Sequence, residues 1–107
     1  MFTRDIIKIN KRLGGSLLNI SSLEFAEELE KDNKGSYKKS AIWVRAIIID
    51  HPFTDFNKRT ALVVVANFIK IENQIRVAEA LVKIAKKNIT DLDKIVEMIK
   101  NANRREN

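Results

Sequence analysis

A chain of 107 residues has room for one domain and one core, here spanning 1–107, and 45% hydrophobic with 32% charged residues is the balance of a folded chain rather than a disordered one. Cysteine is absent, which excludes a disulfide framework, a thiolate metal site and a cysteine nucleophile, and fits a reducing compartment. The formal net charge of +6 would attract nucleotides, nucleic acid or acidic proteins. The lysines are spread through "KKS", "KIAKKN" and "IKNANRREN", a pattern of solubility rather than of a nucleic-acid groove.

Three glycines and one proline punctuate the chain, a scarcity that favours helices. Residues 3–13, "TRDIIKINKRL", put Ile6, Ile9 and Leu13 on one face and end at Gly14-Gly15, predicting a helix with a glycine C-cap. Ser21 and Glu24 form the S-x-x-E pattern of a capping box. The helix predicted there runs to about Asp32, with Leu23, Phe25, Ala26 and Leu29 turned inward. "KDNKGSY" is a polar loop around Gly35. From Ser36 a helix is predicted to near Asp50, apolar nearly all round in its second half and therefore buried. Pro52 biases His51 away from helical angles. A further buried helix is predicted from Asn57 to about Asn73. Val63-Val64-Val65 alone would suit a strand, but the length and lack of alternation favour a helix. "VAEALVKIAKK" reads as an amphipathic helix preceded by irregular "QIRV". Thr90 and Asp93 give a capping pattern for a last helix, "DLDKIVEMIKNAN", and residues 103–107 are expected to fray. The expected fold is all-α, a single domain of about six helices. No apolar run reaches the length of a membrane span, because Arg45 and Asn67 interrupt the two longest, and "MFTRDIIKIN" is too charged for a secretory signal. The expectation is a cytoplasmic protein with no membrane partner.

Between the two buried helices lies a polar island, "DHPFTDFNKR", with the chain's single histidine and single proline side by side. Its second half is a helix N-terminus, where unpaired N–H groups carry partial positive charge and suit phosphate. Lys58 and Arg59 fall in the first turn, where cations cost about 0.3–1 kcal/mol each unless an anion binds there. Asp55 beside a phosphate would be repelled unless a divalent cation bridged them, and Mg²⁺ is held in that way. A neutral imidazole at His51 is suited to take a proton from a hydroxyl near neutral pH. Base, metal carboxylate and phosphate cradle are the parts of phosphoryl or nucleotidyl transfer. The same residue types also fit a plain structural role: Asp55 or Asn57 as helix caps, Lys58 and Arg59 as solvated charges, His51 as a surface residue. Phe53, Trp43 and the valine run Val63-Val64-Val65 read as core, Phe53 as the anchor that plugs the loop into it.

The stretch "HPFTDFNKRTA" resembles the signature of the Fic/Doc family. Fic proteins carry H-P-F-x-D/E-G-N-G-R-x-x-R, and the death-on-curing (Doc) branch carries H-x-F-x-D/N-A-N-K-R-T-A. The chain matches the Doc form at His51, Phe53, Asp55, Asn57, Lys58, Arg59, Thr60 and Ala61. "INKRLGG" followed by "SSLEFAEEL" also looks like the family's N-terminal helix, glycine pair and second helix. The resemblance implies a helical Fic-type domain over nearly the whole chain. It implies His51 as general base, Phe53 as loop anchor and Asp55 as the Mg²⁺ carboxylate. It implies Asn57, Lys58, Arg59 and the Phe56 backbone as the phosphate cradle for ATP. Lys58, and Leu62 where Fic enzymes have a second arginine, look like Doc. The implied activity is that of a toxin kinase, which transfers a γ-phosphoryl group to a protein target such as elongation factor Tu.

The chain departs from the family at Phe56, where the family has Gly or Ala, a small residue that lets backbone approach phosphate. "KDNKGSY" is short for the family's target-docking β-hairpin flap. No Ser or Thr has Glu four residues on, so the inhibitory S/T-x-x-x-E pattern is absent and control would fall to an antitoxin partner. Three alternatives follow: AMP or other nucleotidyl transfer, against which Leu62 argues; a Fic-fold protein that binds without catalysis; and a basic nucleic-acid binder, for which no motif speaks.

Overall fold

The computed structural model of the chain describes residues 1–104. Six α-helices follow one another: α1 (Thr3–Leu13), α2 (Ser21–Lys31), α3 (Ser36–Val44), α4 (Asn57–Phe68), α5 (Gln74–Lys87) and α6 (Leu92–Ala102). Among the described residues no strand forms, and no helix is long and apolar enough to cross a membrane. The all-helical expectation is met.

The centre is α3, which packs against α2, α4 and α6. Ala41 through Val44 are buried on every side, as the apolar sequence requires. Trp43 is fully buried, and its indole Nε1–H donates to Glu30 Oε1 at 2.8 Å, so the polar edge of the ring is satisfied inside the core. The α3 helix does not simply run on to Asp50. It widens at Val44 into a π-helical turn, Arg45–Ile49, with Ala46, Ile47 and Ile48 buried. A π turn leaves a carbonyl displaced from the α-ladder, and the Ser22 hydroxyl donates to Ala46 O at 3.1 Å.

Several expected boundaries move, each for a local reason. The α1 helix ends as predicted, with Gly14 left-handed at φ 108°. The Ser21–Glu24 capping box does not form. The helix already begins at Ser21, its cap residue is Ile20, whose side chain has no acceptor, and the Ser21 N–H donates instead to Asn19 Oδ1 at 2.9 Å. Phe25 is not inward but 63% exposed, while Leu23 and Ala26 are buried. The α4 helix is indeed helical through its valines, but it is not buried all round: Thr60, Ala61, Val64 and Val65 face the core, while Lys58, Arg59, Val63, Ala66 and Asn67 are exposed. It stops at Phe68, five residues short of Asn73, and Ile69 turns extended at φ −131°. The released backbone is held by Asn103. Its Oδ1 accepts from Glu72 N at 2.7 Å, and its Nδ2 donates to Lys70 O at 3.0 Å and to the Tyr37 hydroxyl at 3.1 Å. The "QIRV" stretch is helical, because Asn73 caps α5 by accepting from Arg76 N at 3.2 Å. Asp91, not Thr90, caps α6, accepting from Lys94 N at 3.0 Å. Of the tail expected to fray, Asn103 is buried, and residues 105–107 lie outside the described residues.

Candidate functional site

The polar island folds as a loop, residues 50–56, between the π turn and α4. Its shape comes from two backbone positions that side chains rarely adopt. His51 lies at φ 47° and Phe56 at φ 63°. Asn88 is the only other non-glycine residue with positive φ among the described residues, and it is an ordinary left-handed helix C-cap. Two such positions within six residues concentrate backbone strain in this loop.

The loop is pinned at four points. Phe53 is 2% exposed and plugs into the core. The α1–α2 connection pairs with it in antiparallel fashion, through an isolated bridge between Leu17 and Phe53. Leu18 N donates to Pro52 O at 2.7 Å, and Thr54 N donates to Ser16 O at 2.9 Å. The Asn57 carboxamide clasps the Phe53 backbone from the other side, accepting from its N–H at 3.2 Å and donating to its C=O at 3.0 Å. Asn10 reaches from α1 under the turn. Its Nδ2 donates to Asp55 O at 2.8 Å and to Thr60 Oγ1 at 3.1 Å.

On the outer surface a shallow depression of about 380 Å³ gathers the predicted site residues His51, Asp55, Phe56, Asn57, Lys58 and Arg59. His51 and Asp55 are both exposed, and the imidazole has no hydrogen-bond partner among the described residues. Asp55 Oδ1 accepts from the Phe56 N–H at 2.7 Å. The cap of α4 is therefore Phe56, whose side chain has no oxygen, and no side chain caps the helix. The cap residues of α5 and α6, Asn73 and Asp91, accept a bond from the first turn, whereas those of α1, α2 and α3, Phe2, Ile20 and Gly35, like Phe56, supply no side-chain cap. Lys58 and Arg59 project from the uncapped first turn, exposed and without ion-pair partners among the described residues. The Arg59 guanidinium stands 5.9 Å over the centroid of the Phe56 ring. A second recess of about 240 Å³ shares Lys58 and Arg59 with the depression and is otherwise apolar, lined by Leu62, Ala78, Leu81 and Val82.

Two members of the expected cradle are thus already engaged within the chain: the Phe56 N–H with Asp55, and the Asn57 carboxamide with Phe53. The anion-facing groups that remain are the first-turn N–H groups of α4 and the side chains of Lys58 and Arg59. For a metal, the donor set fits an ion carried by phosphate and not one caged by protein. Asp55 is the one carboxylate lining the depression, and no three His, Cys, Asp or Glu residues gather among the described residues. Sequence reasoning missed Asn10, a polar residue inside an otherwise amphipathic helix. It also missed the exposed apolar side chains Leu17, Leu18, Ile20 and Phe25 beside the loop. The signal for both was present, in a helix-interior Asn and in an apolar loop between two helices. No family model matches the chain, and no curated protein or solved structure matches it.

Proposed function

We propose that the chain is a Doc-like kinase that transfers the γ-phosphoryl group of ATP to a hydroxyl of a protein target. One observation carries the reading. Five of the eight residues that match the death-on-curing motif, His51, Asp55, Asn57, Lys58 and Arg59, line a single depression at the uncapped, cationic N-terminus of a helix packed against the core, and the other three, Phe53, Thr60 and Ala61, are buried. An N-terminus with a phenylalanine cap and two cations in its first turn is unfavourable on its own and favourable beneath a phosphate. The first-turn N–H groups with Lys58 and Arg59 hold the phosphates and offset the charge that develops in transfer. His51 takes the proton of the target hydroxyl. The hydroxyl oxygen then bonds to the γ-phosphorus as the bond to the β-phosphate oxygen breaks, and ADP leaves. Asp55 is the residue that would hold Mg²⁺, which when bound to the phosphates supplies charge neutralisation. The apolar recess past Arg59 offers the base of the nucleotide a surface away from water.

A second reading, binding without turnover, is favoured by the internal bonds of Phe56 N–H and Asn57, which leave a smaller cradle. Calorimetric titration with Mg²⁺-ATP separates the possibilities. The kinase reading expects binding that Lys58→Ala with Arg59→Ala weakens by about tenfold or more, together with transfer. Binding with no transfer supports a sensor. No binding removes both readings and leaves a protein-interaction role.

A further inference from the structure

We propose that Asn10 is a positioning residue for the Asp55–Thr60 turn, and that Gly15 exists to seat it. The inference rests on the reading of that turn as a phosphate site for its functional half only. Asn10 lies in the last turns of α1 and is 0% exposed. A buried face of a helix ordinarily carries aliphatic side chains, so a polar one here needs a reason. Its Nδ2 donates to two acceptors that straddle the left-handed Phe56: the Asp55 carbonyl before it and the Thr60 hydroxyl after it. One amide group therefore fixes the spacing between the start of the turn and the first turn of α4. A carbonyl accepts only, so the nitrogen must be the atom that points there.

The other end of the amide is unusual. Asn10 Oδ1 is buried with no hydrogen-bond partner. Such an atom carries a desolvation cost, tolerated here for the sake of the two bonds made by Nδ2. It fits because residue 15 has no side chain. A Cβ on Gly15 would lie 2.8 Å from Asn10 Nδ2, 2.9 Å from Cγ and closer still to Oδ1. Gly15 needs no special φ; its requirement is space alone. Gly14 serves differently, through its φ of 108° and through contact with Phe56, whose ring carbon Cε2 would lie 3.3 Å from a Cβ at that position. The glycine pair is therefore more than a helix stop. One glycine supports the Phe56 ring and the other leaves room for the side chain that holds the turn.

The test compares Gly15→Ala in two backgrounds. In the wild-type background it should lower Tm by about 5–15 °C, since the new methyl displaces the Asn10 amide. In the Asn10→Ala background it should shift Tm by less than about 2 °C, because nothing remains to displace. Equal shifts in both backgrounds overturn the proposal. If Asn10→Ala does not fold, the ¹H–¹⁵N spectrum of Gly15→Ala decides alone. Displaced peaks at Phe56 through Thr60, with α5 and α6 unmoved, support a positioning role. Displacements confined to α1 and the α1–α2 connection overturn it. Mg²⁺-ATP affinity adds a functional arm. Gly15→Ala should weaken it by about tenfold, and unchanged affinity overturns the functional half. Failure of the wild type to bind Mg²⁺-ATP defeats the phosphate reading and leaves the seating of Asn10 to the first two arms.

Discussion

Phe56 occupies a backbone position that asks for glycine. At φ 63° a side chain costs about 1–2 kcal/mol, and a phenyl ring offsets that only through what it touches. Here it touches Gly14 and lies under Arg59. Phe56→Gly relieves the strain and loses the ring contacts, whereas Phe56→Ala keeps the strain and loses the same contacts. Urea denaturation should therefore find the glycine variant about 1 kcal/mol more stable than the alanine variant. Alanine equal to or above glycine would show that the turn is not left-handed in solution. The types and spacing of His51, Asp55, Lys58 and Arg59 marked the candidate site in the sequence, and the fold brings them to one depression. The clasp of Asn57 on Phe53 and the reach of Asn10 to Asp55 did not show, because each joins residues whose proximity only the folded chain creates.

Helix identity was readable from apolar periodicity, and helix ends were less so. Asp91 and Thr90 both suit a cap, and the backbone chose Asp91. Asp91→Ala should cost about 0.5–2 kcal/mol, while Ser21→Ala should stay within about 0.5 kcal/mol because Ser21 caps nothing; thermal melts of both variants check the pair. The early end of α4 had no local signal at all. It depends on Asn103, more than thirty positions away in sequence from Lys70. Helices α1 and α2 are joined by the Thr3 N–H, which donates to Glu27 Oε1 at 2.6 Å. That bond holds the Glu27 carboxyl below its ordinary value of 4.5. A lowered folded-state pKa contributes stability that is present above 4.5 and is lost as pH falls through the folded value. The stability difference between wild type and Glu27→Gln should accordingly be full near neutral pH and shrink in acid. A difference that grows on acidification would reverse the sign and refute the clasp.

At the scale of the whole molecule, the buried second half of α3 and the inward face of α4 (Thr60, Ala61, Val64 and Val65) form a packed frame that presents one strained, polar loop to solvent. A core built around fully buried Trp43, Ile47, Ile48 and Val64 supports the loop from behind through Phe53. The net charge of the whole chain, +6, favours approach of an anionic nucleotide. Such a frame has a physical purpose if the loop must hold a base, a carboxylate and a phosphate cradle in fixed relation. The most direct measurement is label transfer from ATP to elongation factor Tu and to the proteins of a cell extract. Wild-type protein should transfer label from the γ-position and none from the α-position, and His51→Ala should reduce the rate by about 10²–10⁴-fold. Label from the α-position, no label on any protein, or equal labelling by His51→Ala would contradict the account.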